Sequence, residues 1–487
     1  MQQLNQQDSM FLYSETPRML MHLSSLHIYD PSTAPGPLTF DAVVEHVRSR
    51  LPLARVLRRK IVRVPLDLDY PYWVEDEDFD LEFHVRNIAL PAPGTWQQLW
   101  VQASRLHSFP LDLRRPPWEV YIIEGLDRVE GFAEGSFGLF IKVHHSAIDG
   151  ISGIELMNAL HDLSPDGRAP TVDSWHGEER PSAAALVARA GTHMALMPRR
   201  FLQQVVRTVP LVRSAVASEW AAARAGPHTP PTPLNAKVTT NRVGDGFRFD
   251  LQTAKEIRSA VAGATVNDVV LAVVGGGLRR YLQSRGELPA EPLHAGVPIS
   301  LRTEQEAGTA GNKIAMMVVT LGTDIADPLG RLAAIQRSTS RSKEVNTAVE
   351  ARTLAESSEL FPGALLGLAV RALPRVRAGR MTSMIGNVCV TNVPGSQVPL
   401  YLCGARMEAY YGLGPVYDNA GPIHLVVSYL GKVHLSVTSC REIMPDMEHY
   451  IECLRRALGE LVEAAAPARR STTKRPRSRR PSAKPST

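Results

Sequence analysis

Phe137-Gly138-Leu139-Phe140-Ile141-Lys142-Val143-His144-His145-Ser146-Ala147-Ile148-Asp149-Gly150 joins an apolar run to two adjacent histidines and an Asp-Gly pair. The run from Phe137 to Val143 is short, almost wholly apolar and β-prone, which reads as a buried strand. Titratable groups are thus delivered to a strand end. A histidine near its ordinary pKa of about 6.5 can take a proton from a hydroxyl at neutral pH. Asp149 can hold the turn, and Gly150 supplies a backbone conformation that a side chain would forbid. His-x-x-x-Asp-Gly alone arises by chance in roughly 5% of chains this long, and with the extra histidine in roughly 0.1 to 0.2%. The bland alternative is a strand-end turn in which both histidines are merely hydrogen-bonded and Asp149 caps a helix.

With 487 residues the chain exceeds one ordinary core, so about two domains are expected. The net charge of +5 comes from the last stretch: Pro467 to Thr487 holds eight basic residues and no acid, and the remainder is net negative. That balance gives no reason to expect nucleic-acid binding by the folded part. Cys389, Cys403, Cys440 and Cys453 match neither a metal knuckle nor a dense disulfide framework, which points to a reduced, cytoplasmic compartment. The N-terminal residues lack the basic and apolar regions of a signal peptide. The longest apolar runs, Val269 to Leu278 and Leu360 to Val370, are about half of what a bilayer requires.

Four segments follow. Residues 1–175 mix helical signals (Phe40 to Leu51, Trp96 to Leu106) with strand signals (Phe79 to Val85, Glu119 to Ile123, Phe137 to Val143), an α/β pattern. Residues 176–235 form a basic connector with arginines 180, 189, 199, 200, 207, 213 and 224, ending in the Pro-rich linker Pro227 to Pro233. Its amphipathic pieces read either as helices lying on anionic lipid or as a packed connector with its arginines in water. Residues 236–466 form a second α/β domain, with strands near 315–321, 388–390, 423–429 and 432–436. The basic tail 467–487 is expected to be disordered.

The clearest helix of the second half runs from Val266 to Leu282, with Asn267 and Asp268 suited to its N-terminus. Gly275, Gly276 and Gly277 lie inside it, each costing roughly 1 kcal/mol relative to alanine. Close approach by another backbone or by a ligand chain would offset that. A dinucleotide fingerprint fits poorly, because Arg280 occupies its last glycine position. The nucleophile elbow, the P-loop, the zinc-protease motif and the EF-hand loop are absent from the sequence.

Taken together, these residues resemble the bacterial, especially actinobacterial, wax ester synthase/acyl-CoA:diacylglycerol acyltransferase family, within the coenzyme A dependent acyltransferases that share H-H-x-x-x-D-G. The resemblance runs from about Asp8 to Leu461. It includes Met10-Phe11-Leu12-Tyr13 with Met21-His22, Asp78 to Leu81 with His84-Val85-Arg86, and Arg115-Pro116-Pro117-Trp118-Glu119. It continues through Asn267-Asp268, Val297 to Arg302, Gly311-Asn312 and Thr391-Asn392-Val393-Pro394-Gly395. Pro117 departs from the family's usual leucine, and the basic tail matches no family pattern.

The resemblance implies two chloramphenicol-acetyltransferase-like α/β subdomains joined by a helical connector, with a central substrate tunnel and His145 at its middle. It implies acyl transfer from acyl-CoA to diacylglycerol or a long-chain alcohol, with acyl-CoA as co-substrate and no cofactor or metal. His145 is the expected general base, because neighbours alternate across a strand end and the family assigns the second histidine this role. His144, Asp149 and Gly150 are expected to support it. Trp118, Asn267, Asp268, Gly275, Gly276, Gly277 and Arg302 are expected near substrate, with Asn267 read equally as an oxyanion donor or as a helix cap. Peripheral contact with the inner membrane or lipid droplets is a further expectation. Two competing readings are an acyltransferase of the same architecture using a polyketide alcohol, sugar or amine, and a non-catalytic lipid-surface binding protein.

Overall fold

The computed structural model describes residues 1–148, 153–167, 175–193, 195, 229–300, 314–349 and 386–472. Asp149, Gly150, Arg302, most of the basic connector and the tail beyond Thr472 lie outside these residues.

The first half supplies β1 (Gln2–Gln3), β2 (His22–Asp30), β3 (Arg59–Val62), β4 (Tyr72–Glu75), β5 (Val85–Ala89), β6 (Trp118–Glu124) and β7 (Phe137–His144). The second supplies β8 (Arg242–Asp250), β9 (His294–Ser300), β10 (Ile314–Thr320), β11 (Val388–Pro394), β12 (Tyr401–Leu402), β13 (Ala405–Leu413), β14 (Ile423–Tyr429) and β15 (Lys432–Cys440). Three sheets result, ordered β12-β13-β2-β7-β6-β5, β10-β9-β11-β14-β15-β8 and β1-β4-β3. With helices packed on both large sheets, the fold is the expected mixed α/β arrangement of two sheet-rich halves.

β7 lies between β2 and β6 and is buried along its whole length, as its near-continuous apolar sequence requires. One face of this sheet presents Leu26 and Phe140 to Leu99, Trp100 and Ala103 of the helix Trp96–Ser108. The other presents Tyr29, Leu139 and Ile141 to Val43 and Val47 of the helix Phe40–Arg50.

The sequence order is broken at one point. β12 and β13, from within the 236–466 segment, leave the second sheet and extend the first, with Leu413 opposite Ser24 and Met407 opposite Tyr29. Ser436 Oγ of β15 donates to the Gly412 carbonyl at 2.7 Å, so β13 also touches the second half. The Trp96 indole donates to Asp245 Oδ1 at 2.8 Å and adds a second tie.

Two local expectations are corrected. Phe79 to Val85 does not form a strand: the Asp80 carboxylate accepts from the Glu82 N–H at 3.0 Å and starts a single helical turn, Leu81–His84, before β5 begins. The closing helix Met447–Thr472 continues past Pro467, where the tail was expected to begin. Within the connector, a helix at 183–193 packs Leu186 and Ala190 against Val62, Val64, Tyr72 and Val74. That portion is a packed connector.

Candidate active site at the end of β7

β7 ends because its last residues are pinned from both sides. The His144 N–H donates to the Pro117 carbonyl at 2.9 Å, and the His145 N–H to the Met21 carbonyl at 2.8 Å. The chain then turns into the single-turn helix His145–Ile148. This hands the two imidazoles to different surroundings, as alternation across a strand end requires.

The His145 ring lies flat against Phe11, from the helix Gln6–Ser14, with ring centroids 3.8 Å apart and planes 18° from parallel. Its Nδ1 is buried without a hydrogen-bond partner of good geometry. Burial pushes this imidazole down to about 4, against the opposing pull of the residue's own backbone, while His144 adds to the lowering. The ring is therefore neutral at physiological pH. With the ring proton on the buried Nδ1, the Nε2 lone pair is available to accept another.

His144 is fully buried and turned the other way. Its Nδ1 accepts from Ser146 Oγ at 2.7 Å and from the Ser146 N–H at 3.2 Å, which assigns the ring proton to Nε2, 3.6 Å from the Glu15 carboxylate. His22 sits opposite it on β2. Around them runs a buried polar network. His22 Nε2 donates to the His107 carbonyl at 2.9 Å, Ser24 Oγ donates to His107 Nδ1 at 2.8 Å, and His107 Nε2 donates to the Gly414 carbonyl at 3.0 Å. Burial holds His22 well below its usual range and His107 at about 3, so both are neutral.

Lys142, two residues before His144 on the same face, is completely buried. Its ammonium donates to the carbonyls of Leu106 and Phe109 at 3.1 and 2.5 Å and lies 3.6 Å from Glu119. Burial pushes it down to about 8 against the opposing pull of Glu119. Since the carbonyls at a helix C-terminus attract cations, Lys142 ties the end of the Trp96–Ser108 helix to the strand that carries the histidines.

Several expected site residues serve the fold instead. Trp118 is a core residue: its indole donates to the Leu57 carbonyl at 2.8 Å and its ring stacks on His84 with centroids 4.5 Å apart. Thr265, not Asn267, caps the glycine-containing helix Val266–Ser284, and Asp268 completes a capping box with it. The other Asp268 oxygen accepts from Thr339 Oγ1 at 2.7 Å, so this carboxylate is satisfied within the protein. A Cβ on Gly275 would lie 2.1 Å from the Leu321 carbonyl oxygen, one on Gly276 2.5 Å from the Arg331 guanidinium, and one on Gly277 2.5 Å from the Leu454 side chain. The three glycines admit protein neighbours, and no acyl chain is needed to account for them.

Phe11, Glu15, Met21 and Lys142 were not expected to act at the site. Phe11 and Met21 stand in blocks that carry the family resemblance, yet nothing in their spacing tells that one covers the histidine and the other holds its backbone. Lys142 did carry a signal: a lysine inside an apolar strand must find buried acceptors.

Comparison with known proteins places the chain in one family. Residues 4–270 match the wax ester synthase/diacylglycerol acyltransferase catalytic domain, and residues 310–462 match the C-terminal domain of the same family. A putative diacylglycerol O-acyltransferase of Mycobacterium tuberculosis is 31% identical over 467 residues, covering 96% of this chain and 91% of the relative. Another from the same organism is 34% identical over 504 residues, covering 95% and 97%. The wax ester synthase/diacylglycerol acyltransferase of Marinobacter aquaeolei superposes with a TM-score of 0.69 at 26% identity, covering 96% of this chain and all of that one. The first condensation domain of the calcium-dependent antibiotic synthetase shares the fold, with a TM-score of 0.57 at 13% identity and 96% coverage of both chains.

Proposed function

The chain belongs to the wax ester synthase/diacylglycerol acyltransferase family and is an acyl-CoA-dependent O-acyltransferase, and on that premise we propose that His145 is its general base. The observation that carries this reading is the neutral imidazole at the end of β7, buried under Phe11, with the backbone N–H of its residue held by the Met21 carbonyl. The acceptor alcohol is far too weak an acid to ionise unaided. His145 Nε2 takes its proton while the oxygen attacks the thioester carbonyl. The tetrahedral intermediate then collapses, the C–S bond breaks, and the imidazolium returns the proton to the departing thiolate. The products are an ester and free CoA, and neither a metal nor a covalent enzyme intermediate enters the balance.

Diacylglycerol is the proposed principal acceptor, as the names of the mycobacterial relatives indicate for those proteins, with long-chain alcohols as the alternative. Both partition into lipid, which favours peripheral contact with a membrane or droplet surface. No helix among the described residues is long and apolar enough to cross a membrane. His144 is proposed to orient the motif through Ser146, and Asp149 with Gly150 to hold its turn.

The test is His145→Ala, assayed for acyl transfer from palmitoyl-CoA to diacylglycerol. The expected loss is roughly 10² to 10⁴-fold in rate. Full activity in a folded variant would refute the assignment.

A further inference from the structure

Between β3 with Arg63 and the loop at Leu113 and Arg114 lies a cleft that the transfer chemistry leaves unused. It has a volume of about 280 Å³, and four cations, Lys60, Arg63, Arg114 and Arg180, line it together with apolar side chains such as Ile61 and Leu113. No acidic side chain is among its lining residues. Lys60 is held from behind by Asp76 at 2.6 Å, Arg114 clasps Asp112 with bonds of 2.9 and 3.0 Å, and Arg63 stands 3.8 Å from Asp67. For Arg180 no acidic partner is present among the described residues.

Both walls of the cleft lead to the reacting histidine. Arg63 donates to the Leu12 carbonyl at 3.4 Å, and the residue before Leu12 is Phe11, whose ring covers His145. On the other side, Leu113 and Arg114 open the loop whose Pro117 carbonyl accepts from the His144 N–H. The cleft is too small for a long acyl chain, and its charged groups are all cations. Four cations lining a small concave space suit a phosphate, which accepts paired N–H donors and brings its own charge.

We propose that this cleft binds a phosphate group during the acyl transfer set out above, and the proposal rests on that reading. Two sources carry the same chemistry. One is the nucleotide end of acyl-CoA, which the long pantetheine arm separates from the thioester. The other is the headgroup of the lipid surface from which the acceptor is drawn.

The test uses the full chain and the double variant Arg114→Gln/Arg180→Gln. Both side chains are on the surface, Arg114 with 90% of its side chain exposed, so folding is not at stake. Binding of adenosine 3′,5′-bisphosphate is measured by calorimetry, and co-sedimentation is measured with phosphatidylglycerol/phosphatidylcholine vesicles against phosphatidylcholine alone. If the nucleotide occupies the cleft, the double variant binds the bisphosphate roughly tenfold more weakly, as loss of charge-assisted bonds requires. KM for palmitoyl-CoA then rises by a similar factor with kcat held, and this rise is absent with palmitoyl-pantetheine, which has the thioester without the nucleotide. If a lipid headgroup occupies it, nucleotide binding and KM stay fixed while the preference for anionic vesicles falls roughly tenfold. No change in either arm overturns the proposal. Neither binding arm needs turnover, so a wild-type protein that transfers no acyl group, yet loses phosphate binding on substitution, refutes the transfer reading alone.

Discussion

Replacing Phe11 with alanine separates two things the wild-type site does at once, holding the imidazole in place and keeping it dry. The stacked ring, with centroids 3.8 Å apart, covers one face of His145. Burial is the largest cause of the depressed imidazole pKa of about 4. Opening that face to water should move the group back toward its ordinary value of about 6.5. The acid limb of kcat/KM reports the base in the free enzyme, so it should rise with it. At pH 5.5 the wild type, with its limb near 4, keeps nearly all of its plateau. A variant whose base titrates near 6 keeps about a quarter.

Loss of the stacked pair, on the order of 0.5 to 1.5 kcal/mol, should lower kcat on the plateau by roughly three- to tenfold, because the freed ring samples unproductive rotamers. The sign for stability runs the same way. A histidine depressed in the fold adds stability that is present above the unfolded pKa of about 6.5 and is lost as pH falls toward 4. Phe11→Ala should therefore lose less of its remaining stability between pH 7 and pH 5 than the wild type does. The assay is thiol release from palmitoyl-CoA in the presence of diacylglycerol between pH 5 and 8, with Phe11→Trp as the stacked control. An acid limb that stays put while kcat falls would show that Phe11 packs but does not desolvate the base. An unchanged rate and limb would remove it from the site.

Two further outcomes test the surrounding fold. Gly275→Ala drives a Cβ to 2.1 Å from a backbone oxygen, which no rotamer can relieve, so it should destabilise by roughly 3 kcal/mol or more or prevent folding, whereas an exposed helical glycine would gain from alanine; thermal melting of the soluble fraction decides. Asp245 is raised to about 6 by burial, so it contributes stability below about pH 4 that is lost as pH rises through 6; Asp245→Asn keeps an acceptor for the Trp96 indole and should raise Tm at pH 8 by an amount equivalent to roughly 1 to 2 kcal/mol, by about half as much at pH 5 and little at about pH 3.5, and equal melting shifts at pH 3.5 and 8 would refute the assignment.

The sequence made the site legible where its signals were local. β7 is read correctly because an apolar run followed by polar residues says both that the strand is buried and where it stops. The same holds for the strands near 423–429 and 432–436, which pair as a hairpin through Leu430 and Gly431, both at positive φ. Local signals fail where the deciding contact is distant. β13 alternates like any half-buried strand, and nothing in its residues states that its partner is β2, almost four hundred positions earlier, instead of a neighbour in its own half. Asp78 to Val85 alternates polar and apolar side chains with period two, and one aspartate oxygen turns it into helix.

The glycine run shows why a correct local inference can still reach the wrong neighbour. Three glycines inside a helix cost stability, and something must come close enough to offset that cost. This much follows from the residues alone. Who approaches is settled by the opposing surface, and here the opposing groups are a carbonyl of Leu321, the buried guanidinium of Arg331 and the helix carrying Leu454. Arg331 is itself pushed down to about 10 by burial and donates to the Ile325 and Ala326 carbonyls. A side chain at Gly276 would press on the Arg331 guanidinium, so of the two approaches expected, another protein surface or a ligand chain, the protein surface is the one present. The proposed chemistry lies at the end of β7, where the first helix supplies Phe11, β2 follows directly on Met21, and the loop before β6 supplies Pro117. These three segments lie within the first half of the chain, and β13 adds Gly414, just past its end, as an acceptor for His107. A change in the second half should therefore reach His145 mainly through β13, and Gly412, whose carbonyl is held by Ser436, is the place where such a change would be felt.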